Sequence, residues 1–124
     1  LYGFGVRANW GSRMRQDGKI DYLELPGGDL DRVKAFYGTA FGWRFVDYGP
    51  RYAAFEQGLD GGFDADAPRA MPLPVLYAED LEAMQARIEA AGGTIVAPIF
   101  TFPGGRRFHF TDPAGTELAA WSER

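Results

Sequence analysis

Cysteine is absent from this chain, which excludes disulfides, thiolate nucleophiles and Cys-ligated zinc. Histidine occurs once, as His109. No run of Lys or Arg interrupts a net charge of -4 and a pI near 4.9. Nucleic-acid and anionic-membrane surfaces depend on clustered positive charge, so neither is an expected partner. No apolar stretch approaches the ~18 residues that would suggest a membrane span. Leu1 to Arg13 lacks the long apolar segment of a secretory signal. A soluble cytoplasmic protein is therefore expected.

What the chain does have is apolar and aromatic content, 46% and 15% of its 124 residues, enough for one globular domain with a sizeable core. Its pattern also occurs twice. When the sequence is slid along itself, Asp29-Leu30-Asp31 falls on Asp80-Leu81-Glu82, Val33 on Met84, Tyr37 on Ile88 and Gly42 on Gly93. Two copies are too few for a solenoid, in which each unit is covered by stacked neighbours. A duplicated half-barrel closing round one shared cup fits better, and places any site on the concave faces of the strands.

The first copy opens with an alternating strand, Ile20 to Leu25, ended by Pro26-Gly27-Gly28. Asp29 is a good N-cap for a helix that carries Leu30, Val33, Phe36, Tyr37, Ala40 and Phe41 on one face, and Gly42 ends it. Strands are expected at Trp43–Asp47, Tyr52–Gln57 and Gly58–Phe63, then a proline-bearing linker from Asp64 to Pro74. The second copy has a strand at Leu73–Ala78, a helix over Asp80–Ala91 and a strand at Thr94–Ala97. A long loop, Pro98–Gly105, follows, with glycine hinges and Phe100 and Phe102 in it, suited to act as a lid. Arg106–Thr111 and Thr116–Trp121 then pair across Asp112-Pro113-Ala114-Gly115. The expected fold is α+β: two βαβββ modules, residues 19–65 and 73–122, in one domain spanning 19–124. Residues 1–18 form an N-terminal extension. Gly11-Ser12 ahead of Met14 suggests a vector-derived scar, and the alternative is a native edge strand through Tyr2, Phe4 and Val6.

The run Asp29-Leu30-Asp31-Arg32-Val33-Lys34-Ala35-Phe36-Tyr37 with Phe41-Gly42-Trp43 resembles the first-module signature of the vicinal oxygen chelate superfamily. That group includes glyoxalase I, bleomycin-resistance proteins and extradiol dioxygenases. Glu79-Asp80-Leu81, Ala91-Gly92-Gly93 and Asp112-Pro113-Ala114-Gly115 resemble the second-module signature, and together the motifs cover nearly everything after Lys19. The resemblance implies a pseudo-symmetric eight-stranded cup and, commonly, a homodimer. It also implies one divalent metal held by His, Gln or Glu from the first and last strands of each module. Here Tyr22 stands at the first ligand position, Leu73 at the second-module opening and Ala119 at the final carboxylate position, leaving Glu56 as a lone donor. Leu and Ala have no donor atom, and a neutral phenol is a poor ligand. No metal and no other cofactor is expected.

Period-2 alternation places Tyr22, Glu24, Tyr52, Glu56, Tyr77, Arg107, His109 and Trp121 on the concave face, with Phe102 above them. That is an aromatic cup with few polar groups, as expected for a small-molecule ligand. His109, Glu24 and Glu117 are the candidates for acid–base chemistry, and each also has a plain structural role open to it. Three functions compete: a metal-free protein that binds a small apolar or aromatic molecule, a lyase, isomerase or dioxygenase-type enzyme with a non-standard metal or a His109/Glu acid–base site, and a partner module with a filled cup; the missing metal ligands put the binding protein first.

Overall fold

The computed structural model describes residues 15–68 and 70–124. The readings of Leu1–Arg13 lie outside the described residues. Asp17 and Gly18, assigned to the extension from sequence, are tied to the second module. The Gly18 N–H donates to the Tyr77 carbonyl at 2.8 Å, and the Asp17 carboxylate accepts the Glu79 N–H at 2.8 Å.

The first module comprises β1 (Ile20–Pro26), α1 (Leu30–Phe41), β2 (Val46–Asp47), β3 (Tyr52–Phe55) and β4 (Asp60–Asp64). The second comprises β5 (Leu73–Tyr77), α2 (Leu81–Ala90), β6 (Thr94–Phe102), β7 (Gly105–Thr111) and β8 (Glu117–Ser122). The eight strands form one sheet in the order β2-β3-β4-β1-β5-β8-β7-β6. Read outward from the centre, the two halves have the same order. The two opening strands pair with each other antiparallel, and each pairs parallel with the last strand of its own module. This is the pseudo-symmetric α+β cup expected from the repeat.

Both helices start where their caps predict. Asp29 accepts the Arg32 N–H at 3.2 Å, and Asp80 accepts the Ala83 N–H at 3.0 Å. Gly42 closes α1 at a φ of 74°, a left-handed conformation that suits glycine. One side of the sheet meets the helices: Phe108, Phe110 and Ala120 pack with Leu81 and Met84 of α2, while Tyr37 of α1 lies 5.1 Å from the Phe63 ring. The other side carries Tyr22, Tyr52, Ala54, Leu73, Val75, Ala119 and Trp121 as a separate buried cluster. The alternation read from sequence therefore holds for β1, β3, β5, β7 and β8.

Four expectations need correction. Trp43 to Phe45 are not strand: Trp43 stacks on Tyr37 at 4.7 Å, and pairing begins only at Val46. Phe36 and Phe41 are 59% and 63% exposed, so the apolar stripe of α1 is not all turned inward. β3 ends at Phe55, which leaves Glu56 exposed. The expected lid is largely strand, because β6 continues to Phe102 and pairs with β7 through Phe100↔Arg107 and Phe102↔Gly105. β6 is an edge strand whose register shifts between Ala97 and Phe100, so the missing N–H of Pro98 does not interrupt the pairing.

Candidate functional site

The floor of the cup is a polar chain set among aromatic rings. The Tyr22 and Tyr52 hydroxyls lie 2.7 Å apart, and Tyr52 donates to Glu24 at 3.2 Å. Arg107 grips the same carboxylate with both terminal nitrogens, at 3.2 and 3.5 Å. This ion pair is 4% and 1% exposed at its side chains and joins β7 of one module to β1 of the other. Burial, with the Tyr22 and Glu24 groups beside it, pushes the Tyr52 phenol well above its ordinary range. It therefore stays protonated and donates to Glu24.

Strand register shows what stands at the four metal positions. Tyr22 and Leu73 are equivalent residues of the opening strands. Glu24 pairs with Gly62, and its counterpart Val75 pairs with Ala119, so Gly62 is the first-module equivalent of Ala119. The register assigns the fourth position to Gly62 rather than Glu56. A Cβ at position 62 would collide with Cε1 and Oη of Tyr52, so glycine makes the space in which that ring lies. A phenol, a glycine, a leucine and an alanine do not fit the divalent metal of the superfamily. Among the described residues, no three of His, Asp and Glu come together closely enough to hold a metal ion.

A cavity of about 430 Å³ opens beside this floor, between the two half-sheets. Tyr52, Pro68, Ala97 and Phe100 supply its apolar wall. Arg107, His109 and Glu117 line it from the second module, and Arg51, Asp64 and Asp66 from the first. His109 Nδ1 lies 2.8 Å from Glu117 Oε2. An ionised carboxylate only accepts, so Nδ1 carries the proton in that state. The His109 ring sits 5.9 Å from Phe100, and the Arg107 guanidinium lies over Phe100 at 5.5 Å. Arg51 holds Asp66 at 2.9 and 3.0 Å at the rim. Burial raises the Asp64 carboxyl above its usual value, against the Asp66 N–H that it accepts and with the negative charge of Glu24 adding to the rise.

Of the residues picked out from sequence, Tyr52, Arg107, His109 and Glu117 meet at this cavity, with Glu24 directly behind Arg107. Tyr22 lies deeper, hydrogen-bonded to Tyr52. Trp121 is fully buried in the floor, donating its indole N–H to Asp21 at 3.0 Å, so it is core and does not line the cavity. Phe102 and Tyr77 pack against Trp121, at 6.5 and 5.5 Å between rings, and the Tyr77 hydroxyl donates to Glu123. Glu56 lies outside the site. Sequence reasoning missed Arg51, Asp64 and Asp66, which read as turn and linker. The usable signal was the register: Asp64 pairs with Tyr52, so the two share a face.

A search of curated proteins gives no match. Among solved structures, the Mn(II)-bound glyoxalase from Novosphingobium aromaticivorans is 26% identical, with a TM-score of 0.62. The match covers 89% of this chain but only 40% of that one. Methylmalonyl-CoA epimerase from Mycobacterium tuberculosis is 16% identical with a TM-score of 0.64, covering 89% of this chain and 91% of that one. A glyoxalase/bleomycin resistance protein/dioxygenase superfamily member from Vibrio splendidus 12B01 is 12% identical with a TM-score of 0.66, covering 82% and 96%. These last two likenesses are of fold alone. A family model described as Glyoxalase/Bleomycin resistance protein/Dioxygenase superfamily matches residues 19–119, and with the paired-module sheet it makes this chain a member of that superfamily.

Proposed function

We propose that this protein binds a compact aromatic or otherwise apolar small molecule with one polar end, in the cavity between its modules and without a metal. The observation that carries this reading is the cavity itself, about 430 Å³ beside four ligand positions that cannot chelate. That volume falls within the usual range for small-molecule pockets, and an apolar wall with a few fixed polar groups is their usual make-up. A polyphosphate is disfavoured, because both guanidiniums that line the cavity among the described residues are already paired with carboxylates. The test is a thermal-shift screen of the purified protein against aromatic metabolites, nucleotides and sugar phosphates, with elemental analysis alongside. Stabilisation by aromatic compounds is expected, and Phe100→Ala should weaken it several-fold by removing ring contacts worth about 1 kcal/mol beyond burial. Stabilisation by nucleotides or sugar phosphates alone, or near one transition metal per chain, would overturn the proposal.

The His109–Glu117 hydrogen bond favours a second reading, an enzyme of the superfamily using metal-free acid–base chemistry. His109 is only 6% exposed, which limits what the ring can reach and places binding ahead of turnover. Turnover of a carbonyl compound, lost in His109→Gln while ligand binding persists, would reverse that order.

A further inference from the structure

Missing donors alone would leave a space where the metal of the superfamily stands. In this chain that space is filled. Tyr22, Leu73 and Ala119, at three of the four positions, belong to one buried cluster with Tyr52. Tyr52 comes from β3 and stands at none of the positions. It pairs with Asp64 of β4, and its ring lies over Gly62 of that strand, where a Cβ would meet Cε1, Cζ and Oη. Beyond β4 its hydroxyl reaches β1, 2.7 Å from the Tyr22 hydroxyl and 3.2 Å from Glu24. The register sets Gly62, Glu24 and Leu73 in one row across β4, β1 and β5, with Tyr22 and Ala119 in the next row on either side of Val75. The end of the Tyr52 phenol therefore lies among the four positions, on the face they share.

We infer that Tyr52 is what shuts a metal out of this cup, its ring standing where a ligand from position 62 would reach, an inference that rests on the metal-free side of the reading above and not on the ligand. A side chain at position 62 and the Tyr52 ring cannot coexist, because both need the same space above one Cα in a close-packed core. The phenol is no substitute donor, since burial keeps it protonated and it donates to Glu24. The Arg107 guanidinium is paired with Glu24, so the plug works by volume rather than by repulsion. The cavity lies beside the plug: Tyr52 lines it, whereas Tyr22, Gly62, Leu73 and Ala119 do not.

The experiment is titration of the purified full chain with cobalt(II), whose visible absorption reports ligation. Donors are restored at three positions, Tyr22→His, Leu73→His and Ala119→Glu together, once with Tyr52 kept and once with Tyr52→Leu. Leucine keeps an apolar side chain but lacks the ring atoms above Gly62. With Tyr52 kept, cobalt should bind weakly and without visible bands. With Tyr52→Leu it should bind about tenfold or more tightly, at one per chain. Equal affinity in the two, or no cobalt bound by either, would overturn the plug, because space would then not be the obstacle. A second measurement needs no restored donor, which keeps the test intact if the buried histidines prevent folding. Gly62→Ala should lower the urea midpoint of the wild type, and lower it less or not at all in Tyr52→Leu. The same loss in both backgrounds would overturn the plug and leave the binding reading standing. A stoichiometric metal in the wild-type chain would remove the plug and the metal-free reading together, whereas a ligand screen that fails would leave the plug in place.

Discussion

Glu24 and Arg107 show what a single pair of residues sets at this site. A buried ion pair is held by its geometry and its extra hydrogen bonds, and removing one partner leaves an uncompensated charge in a low-dielectric place. Here the Glu24 carboxylate has three donors across two side chains, so it is well satisfied. Arg107→Met is expected to destabilise the fold by roughly 3–5 kcal/mol, and Glu24→Gln by a similar amount. The double variant, with both charges gone, should cost clearly less than the sum. Urea unfolding of the four proteins gives the coupling energy directly, and additive costs would show that the pair does not act as a unit. At this scale the sequence was informative about direction and silent about partners. Alternation put Tyr22, Glu24, Tyr52, Arg107 and His109 on one face. It gave no sign that Arg107 would reach across to the other module, because that contact depends on how the sheet curves.

Among the elements, the sequence was most legible where a local signal and the global pattern agreed. Asp29 and Asp80 capped the helices, and the hairpin at Asp112 to Gly115 formed as written. It was least legible at strand ends. β2 is shorter than its apolar run suggests, since Trp43 and Phe45 are drawn into the ring cluster under α1, and β3 stops at Phe55. β6 is longer than expected, since an edge strand tolerates Pro98. β4 provides the element-scale prediction. Gly62 lies beneath the Tyr52 ring, where there is no room for a methyl group. Gly62→Ala is expected to destabilise by about 1–3 kcal/mol, the range for overpacking a core, and to displace the Tyr52 hydroxyl from Glu24 and Tyr22. Chemical denaturation measures the first effect. The second would appear as a lowered Tyr52 phenol titration, followed by the absorbance of phenolate. Gly62→Ala with wild-type stability and titration would mean that Tyr52 does not depend on that space.

For the whole molecule, the open question is what covers the outer side of the first module. No residue of α1 is buried, although the helix carries Phe36, Tyr37 and Phe41. Phe36 and Phe41 are more than half exposed, and so is Met71, while Val46 on the edge strand β2 is 50% exposed. The Lys34–Asp47 ion pair at 2.9 Å ties α1 to β2, which stands at an edge of the sheet that the described residues form. Exposed rings on a helix and an apolar edge strand are surfaces that another chain often covers, and a closed twofold dimer is the commonest way of covering them. The expected state at micromolar concentration is a homodimer. Light scattering or analytical ultracentrifugation should give twice the 13.7 kDa chain mass. Phe36→Glu with Phe41→Lys should shift the population toward monomer with little loss of monomer stability, because neither ring is buried in the chain itself. A wild-type monomer mass would refute the dimer. A dimer that survives the double substitution would place its interface elsewhere on the sheet.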